Sequence, residues 1–239
     1  MRTESLMTES SNGTRRSFLK HLLIAGAITG VAGLDFLASC AVDEEAEVTP
    51  AEDLMREHGV LNRILLVYDH CKALLSAGQP FDRLVLSDSA TIIRSFIEDY
   101  HEKLEEDYLF PRFEEANRLT ALVKVLRNQH KVGRVITERL LDEAREGDGT
   151  DQGSNARLAA LLDSFVTMYR PHEAREDTVL FPELARILSV HEYYALGEDF
   201  EKREHALFGT EGFEGIVVQV AAIEDRLGIG NLADFTPRI

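Results

Sequence analysis

HEKLEEDYLFP, residues His101–Pro111, and HEAREDTVLFP, residues His172–Pro182, are two versions of one pattern. Each begins His-Glu, carries a second Glu at the fifth place and closes on Leu-Phe-Pro. Four residues on an α-helix turn through about 400°, so the first and fifth places share a face. His101 with Glu105, and His172 with Glu176, therefore present a nitrogen and a carboxylate to one side. Glu102 and Glu173 lie three residues before the motif glutamates, and either can reach the same side.

The surroundings are helical too. From Asp53 to Leu75, apolar Leu54, Leu61, Leu65 and Tyr68 recur near a 3.6-residue period, and SAGQP (Ser76–Pro80) stops the run. A second helix is expected from about Ser87 to Asn117, capped by Ser87 or Asp88. A third is expected from Thr120 to Glu146, closed by the Gly-rich GDGTDQGS, and a fourth from about Ala156 to Leu188. One or two more follow between Val190 and Leu227, broken at FGTEGFEG. Pro111 and Pro182 should kink or end their helices nearby. No alternating strand pattern occurs. The fold class is all-α, an up-down four-helix bundle over residues 53–189 with a helical extension over 190–239.

Composition narrows the function. The chain of 239 residues is 44% hydrophobic and 28% charged, which is globular, and its formal net charge is -16. Such an acidic chain is poorly suited to nucleic acid, and to anionic lipid through charge alone. Two cysteines, Cys40 and Cys71, imply no disulfide framework. Cys71 reads as a small buried hydrophobe.

Residues 1–39 read as an address. TRRSFLK (Thr14–Lys20) precedes an apolar run from Leu22 to Ala38 and looks like a twin-arginine export signal. LASC (Leu37–Cys40) resembles a bacterial lipobox, in which the signal is cut before an acylated Cys. A short membrane anchor and ordinary cleavage without a lipid are the rival readings. The expectation is export to the periplasm or cell surface, with a lipid anchor at Cys40 as the one membrane contact. Residues 40–52 form an acidic linker.

The repeat extends upstream. His58 precedes His101 by 43 residues and His130 precedes His172 by 42. The chain thus duplicates a helix pair, His on the first helix and His-Glu-x-x-Glu on the second. Two such pairs about a pseudo-twofold axis bring four histidines and at least two glutamates into the bundle centre. Buried carboxylates cost several kcal/mol each unless paired or metal-bound. A cysteine-free donor set of His and carboxylate suits iron, manganese or zinc. It exceeds one tetrahedral zinc, and two ions sharing the glutamates use it better.

With His58, HEKLE (His101–Glu105), His130 and HEARE (His172–Glu176), each motif followed by Leu-Phe-Pro, the chain resembles the hemerythrin-like, HHE cation-binding proteins of bacteria over roughly Asp53 to Leu188. The resemblance implies a four-helix bundle holding a non-haem di-iron centre that binds or reduces oxygen. It implies nitrogen ligation by His58, His101, His130 and His172, bridging by Glu105 and Glu176, and a terminal or outer role for Glu102. Two iron ions are the expected cofactor, with manganese or zinc as alternatives. Oxygen carriers of the family use five histidines, and four can be placed here. This puts sensing of oxygen, peroxide or iron, and redox turnover, level with carriage. Of the other histidines, His21 sits in the leader, His70 points about 120° away from His58, and His191 and His205 lie outside the repeat, His205 being the reserve fifth ligand.

Three functions follow in order: a di-iron protein that binds or responds to dioxygen, peroxide or nitric oxide; a di-iron peroxidase or nitric-oxide-handling enzyme; and a bundle in which metal only stabilises the fold. The chain reads more as a metal- and oxygen-binding protein than as an enzyme, for it shows no substrate channel or electron donor.

Overall fold

The computed structural model describes residues 48–146 and 151–237, which are helical and contain no strand. TRRSFLK, the apolar run, Cys40 and the linker up to residue 47 lie outside the described residues.

Helix α1 spans Pro50–Ser76, three residues ahead of the expected start. Thr49 opens it: its hydroxyl accepts the Glu52 N–H at 3.2 Å, and the Glu52 carboxylate accepts the Thr49 N–H at 2.9 Å. This reciprocal box satisfies two backbone donors that a helix start leaves without partners. Pro50 fits the first turn because its missing N–H would have had no helical partner. Thr49→Ala is expected to lower stability by about 1 kcal/mol in urea unfolding.

Helix α2 covers residues 84–115 in five stretches: α-helical Leu84–Ile92, π-helical Ile93–His101, α-helical Glu102–Leu104, π-helical Glu105–Leu109 and α-helical Phe110–Glu115. It starts before the expected caps. Asp82, not Ser87 or Asp88, accepts the Leu84 N–H, at 3.1 Å. Ser87 donates back to the Leu84 carbonyl, and Asp88 pairs with Arg226 at 2.6 Å. Burial of Val85 and Leu86 draws this extra turn into the helix. Helix α3 spans Thr120–Glu146. Helix α4 covers residues 152–187 as α-helical Gln152–Arg175, π-helical Glu176–Leu180 and α-helical Phe181–Ile187. Asp151 caps it by accepting the N–H groups of Gly153 and Ser154, so the end of the Gly-rich stretch is helical.

The motif prolines do not end their helices on the spot. Pro111 and Pro182 each open a further α-helical stretch behind a π turn. In each turn the carbonyl of the motif glutamate accepts an N–H five residues on, Phe110 to Glu105 and Phe181 to Glu176. In that register Pro111 would owe an N–H to the Glu106 carbonyl. Arg127 Nη1 supplies the donor instead, at 3.3 Å.

Helices α1 and α3 each pack against both α2 and α4, the cyclic order of an up-down bundle. Phe96, Phe113, Phe165, Tyr68 and Tyr100 are among its fully buried side chains. Two further helices follow. Helix α5 is Val190–Phe208, opened by a Ser189–Glu192 box, and α6 is Gly212–Leu227. They meet at a 56° bend. Helix α6 lies on α1 and α2, α5 lies on α1 and α6, and Phe200, Val220 and Ile223 join the bundle's own core. A short 3-10 turn, Leu232–Phe235, follows. Among the described residues no single helix is long and apolar enough to cross a membrane. Cys71 is buried in the core, which pushes its thiol up to about 12 and keeps it protonated.

Candidate metal centre

His58, His101, His130, His172, Glu105 and Glu176 come together inside the bundle, all buried. The His58 and His101 rings stand 4.7 Å apart and the His130 and His172 rings 5.1 Å apart, so each histidine pair unites an upstream histidine with its own motif. The carboxylates cross this division. Glu105 faces Nε2 of His130 at 3.3 Å and of His101 at 3.9 Å. Glu176 faces Nε2 of His172 at 3.1 Å and, through its other oxygen, of His58 at 3.4 Å. Each motif thus places its carboxylate between both histidine pairs, and a motif with its own upstream helix does not make a closed half.

The outer nitrogens have equally regular partners. Nδ1 of His58 meets Asp177 at 2.7 Å and that of His130 meets Glu106 at 3.1 Å. Nδ1 of His101 meets Glu57 at 2.8 Å and that of His172 meets Gln129 at 2.9 Å. An oxygen acceptor at Nδ1 requires the proton there, which leaves Nε2 as a lone pair in the neutral ring. When all four rings are neutral, as metal ligation requires, four lone pairs look towards the two carboxylates; without a metal, His58 carries a second proton towards Glu176 instead. Both oxygens of Glu105 and of Glu176, and Nε2 of His130, are buried with no hydrogen-bond partner. Acceptors facing acceptors in a dry interior repel unless a cation lies between them. Ligand atoms of Glu105, His130, His172 and Glu176 all lie within 4.8 Å of one another, a separation one ion can span.

Residues 49–184 match the family described as Hemerythrin HHE cation binding domain. The chain belongs to the hemerythrin HHE cation-binding family. Similar relatives are an uncharacterized protein of Mycobacterium bovis and uncharacterized proteins of two Mycobacterium tuberculosis strains, each 48% identical over 195 residues, 82% of this chain and 76% of the relative. No solved structure matches significantly.

Within this HHE domain Glu102 stands apart from the central four. Its carboxylate accepts the Tyr169 hydroxyl at 2.7 Å and pairs with Arg134 at 2.8 Å. Burial still pushes it up to about 8, against the pull of Arg134. Tyr169 reaches it because Gly133 has no side chain: a Cβ there would overlap the phenol oxygen. Glu173 occupies the equivalent place in the second motif, accepts from Asn62 and is pushed by burial to about 7.

The electrostatics of the centre follow from burial and neighbours. Burial lowers His130 to about 4 and also lowers His101. Burial opposes charge on His58 as well, but its hydrogen bond to Asp177 and the nearby Glu176 carboxylate outweigh it and raise the ring to about 10. Burial and the negative charge of Glu176 hold Glu105 well above the usual carboxylate range. Burial also acts to raise Glu176, but His172 and His58 together hold it well below that range.

Some residues escaped the sequence reading. Phe110 stacks on His130 and Phe181 on His58, each phenylalanine crossing to the other half as its glutamate does. The Nδ1 acceptors follow the repeat: Glu57 and Gln129 immediately precede the upstream histidines, and Glu106 and Asp177 immediately follow the motif glutamates. Arg134 and Asn62 stand four residues after the upstream histidines His130 and His58. Aligning the two halves beyond the motifs was the signal that would have found them. The reserve ligand His205 is exposed on α5, while its neighbour Glu204 is buried.

Proposed function

We propose that this HHE domain holds a pair of transition-metal ions, iron by preference, and binds or responds to oxygen or a related oxidant outside the cytoplasm. One observation carries the reading: four imidazole Nε2 atoms face two buried carboxylates whose oxygens have no hydrogen-bond partner. His58, His101, His130 and His172 would be the nitrogen ligands and Glu105 and Glu176 the shared carboxylates. Glu102 is assigned to the outer network with Tyr169 and Arg134. Bound ferrous ions would supply the electrons that an oxidant takes up. The protein's own part is to orient each imidazole through its Nδ1 acceptor and to wall the centre with Phe110 and Phe181. Small uncharged ligands such as dioxygen, peroxide or nitric oxide suit so buried a centre. Export by the twin-arginine route and acylation at Cys40 complete the proposal, on the strength of TRRSFLK and LASC.

Metal analysis of freshly purified protein should find about two ions per chain. Iron with a near-ultraviolet charge-transfer band that dithionite bleaches supports the reading. Two zinc ions and no iron would sink the oxidant chemistry. Steady-state consumption of peroxide or nitric oxide that His101→Ala abolishes would convert the reading to an enzyme. Metal-dependent melting with no response to air or reductant would reduce it to a structural site.

A further inference from the structure

The two histidine pairs are related by the repeat, but their surroundings are not equal. Glu57 precedes His58 where Gln129 precedes His130, and Asn62 follows His58 by four residues where Arg134 follows His130. The members of each pair do the same job. Glu57 accepts from His101 as Gln129 does from His172. Asn62 donates to Glu173 as Arg134 does to Glu102. Both exchanges change charge, and both leave the His58–His101 side the more negative.

Neighbours widen the difference. On the His130–His172 side, Arg134 pairs with Glu106 as well as Glu102, and Lys103 also pairs with Glu106. On the His58–His101 side, Glu57, Asp177 and Glu173 have no Lys or Arg ion pair among the described residues. The helical extension adds acid here. The Tyr100 hydroxyl lies 3.0 Å from Glu57 and 3.4 Å from Glu204 of α5. Asp53, with Arg56 at 3.9 Å, completes a buried three-carboxylate group with Glu57 and Glu204. Glu204 is itself held by the Phe213 N–H at 3.0 Å, in the first turn of α6 beside the break. Gly212 there has φ +43 and a Cβ on it would overlap that carboxylate, so the break closes around Glu204.

We propose that the two metal positions are deliberately unequal: the ion between His58 and His101 binds first and leaves last, with Glu57 as the positioning residue, braced by Tyr100 and Glu204. The ion between His130 and His172, backed by neutral Gln129 and the Arg134 cation, is the exchangeable one. An anionic acceptor on an imidazole raises the basicity of its ligating nitrogen, and Glu57, Asp177 and Glu173, with no Lys or Arg ion pair among the described residues, attract the cation besides. This rests on the paired-metal reading above.

The test is an anaerobic titration of the metal-free full-length protein with ferrous iron, by equilibrium dialysis and metal analysis. A Mössbauer spectrum of the iron-57 protein is taken at one equivalent. The parent should take up two ions in two separated steps and show one ferrous environment at one equivalent. Glu57→Gln keeps an amide oxygen towards His101 but removes the charge. It should weaken the first step about 10- to 100-fold and give two environments at one equivalent. Gln129→Glu should tighten the second step by about tenfold, on the opposite side of the centre and independently of whether the Glu57 variant folds. Equal filling in the parent, or steps that neither variant moves, overturns the inequality and leaves the paired-metal reading standing. Fewer than two ions in the parent overturns both.

Discussion

Glu105→Gln is expected to leave the metal-free bundle close to the parent in stability and to remove its ability to hold two ions. Glu105 is fully buried and faces both His101 and His130. Burial and Glu176 hold it well above the usual carboxylate range, which favours the neutral carboxyl in the metal-free protein. Glutamine has nearly the same shape and is also neutral, so the metal-free core loses little. A metal ion must displace the Glu105 proton, and the amide has none to give up. The parent should therefore release protons on metal binding and bind more weakly as the pH falls, because the proton and the cation compete for one carboxylate. The variant should release at least one proton fewer and drop from about two ions per chain to about one or none. Metal present at a thousand times its dissociation constant adds about 4 kcal/mol to a folded state that alone binds it. That gap in calorimetric stability between loaded and metal-free protein should shrink strongly in the variant. A variant that still binds two ions with unchanged proton release would show that Glu105 is not shared between them.

Gly133→Ala should cost about 2–4 kcal/mol, although alanine ordinarily stabilises a helix interior by about 1 kcal/mol over glycine. Gly133 is buried within α3, and its missing side chain is the space the Tyr169 hydroxyl occupies. An added Cβ would also lie 2.8 Å from Cζ of that ring. Tyr169 cannot retreat, for it is fully buried, its ring centroid stands 4.3 Å from that of Phe165, and it meets the edge of His172 at 5.4 Å. Moving it would break the 2.7 Å hydrogen bond to Glu102 and leave that buried carboxyl to Arg134 alone. Urea unfolding of the metal-free protein reads the loss. Tyr169→Phe in the same chain removes the overlapping oxygen and should recover part of it. A Gly133→Ala protein as stable as the parent would mean that the helices can slide apart at this point.

The repeat made much of this protein legible. His101, Glu105, His172 and Glu176 declared themselves by helical spacing, and His58 and His130 by their matched distance upstream. The all-α fold followed because the periodicity is strong and local, and the four helices of the bundle appear where the pattern put them, within a few residues at their ends. What failed was also local in cause. Ser87 has the chemistry of a cap, but burial of Val85 and Leu86 extended the helix past it. Pro111, by contrast, has a π turn just before it, and α2 ends a few residues beyond it at Glu115, while the Arg127 guanidinium supplies the missing donor.

By itself, the sequence determined which side chains could bind a metal and that they come in two sets, because spacing along one helix settles which residues share a face. Only the tertiary structure decided how the sets combine. Glu105 and Glu176 cross to the opposite histidines, Glu102 turns to Tyr169 and Arg134, and Glu204 of the extension reaches Glu57 through Tyr100. These contacts join helices far apart in the chain, and helical periodicity carries no information about which neighbour a face will meet. Packing decides that, since the arrangement that buries the shared core also sets the two motifs against each other.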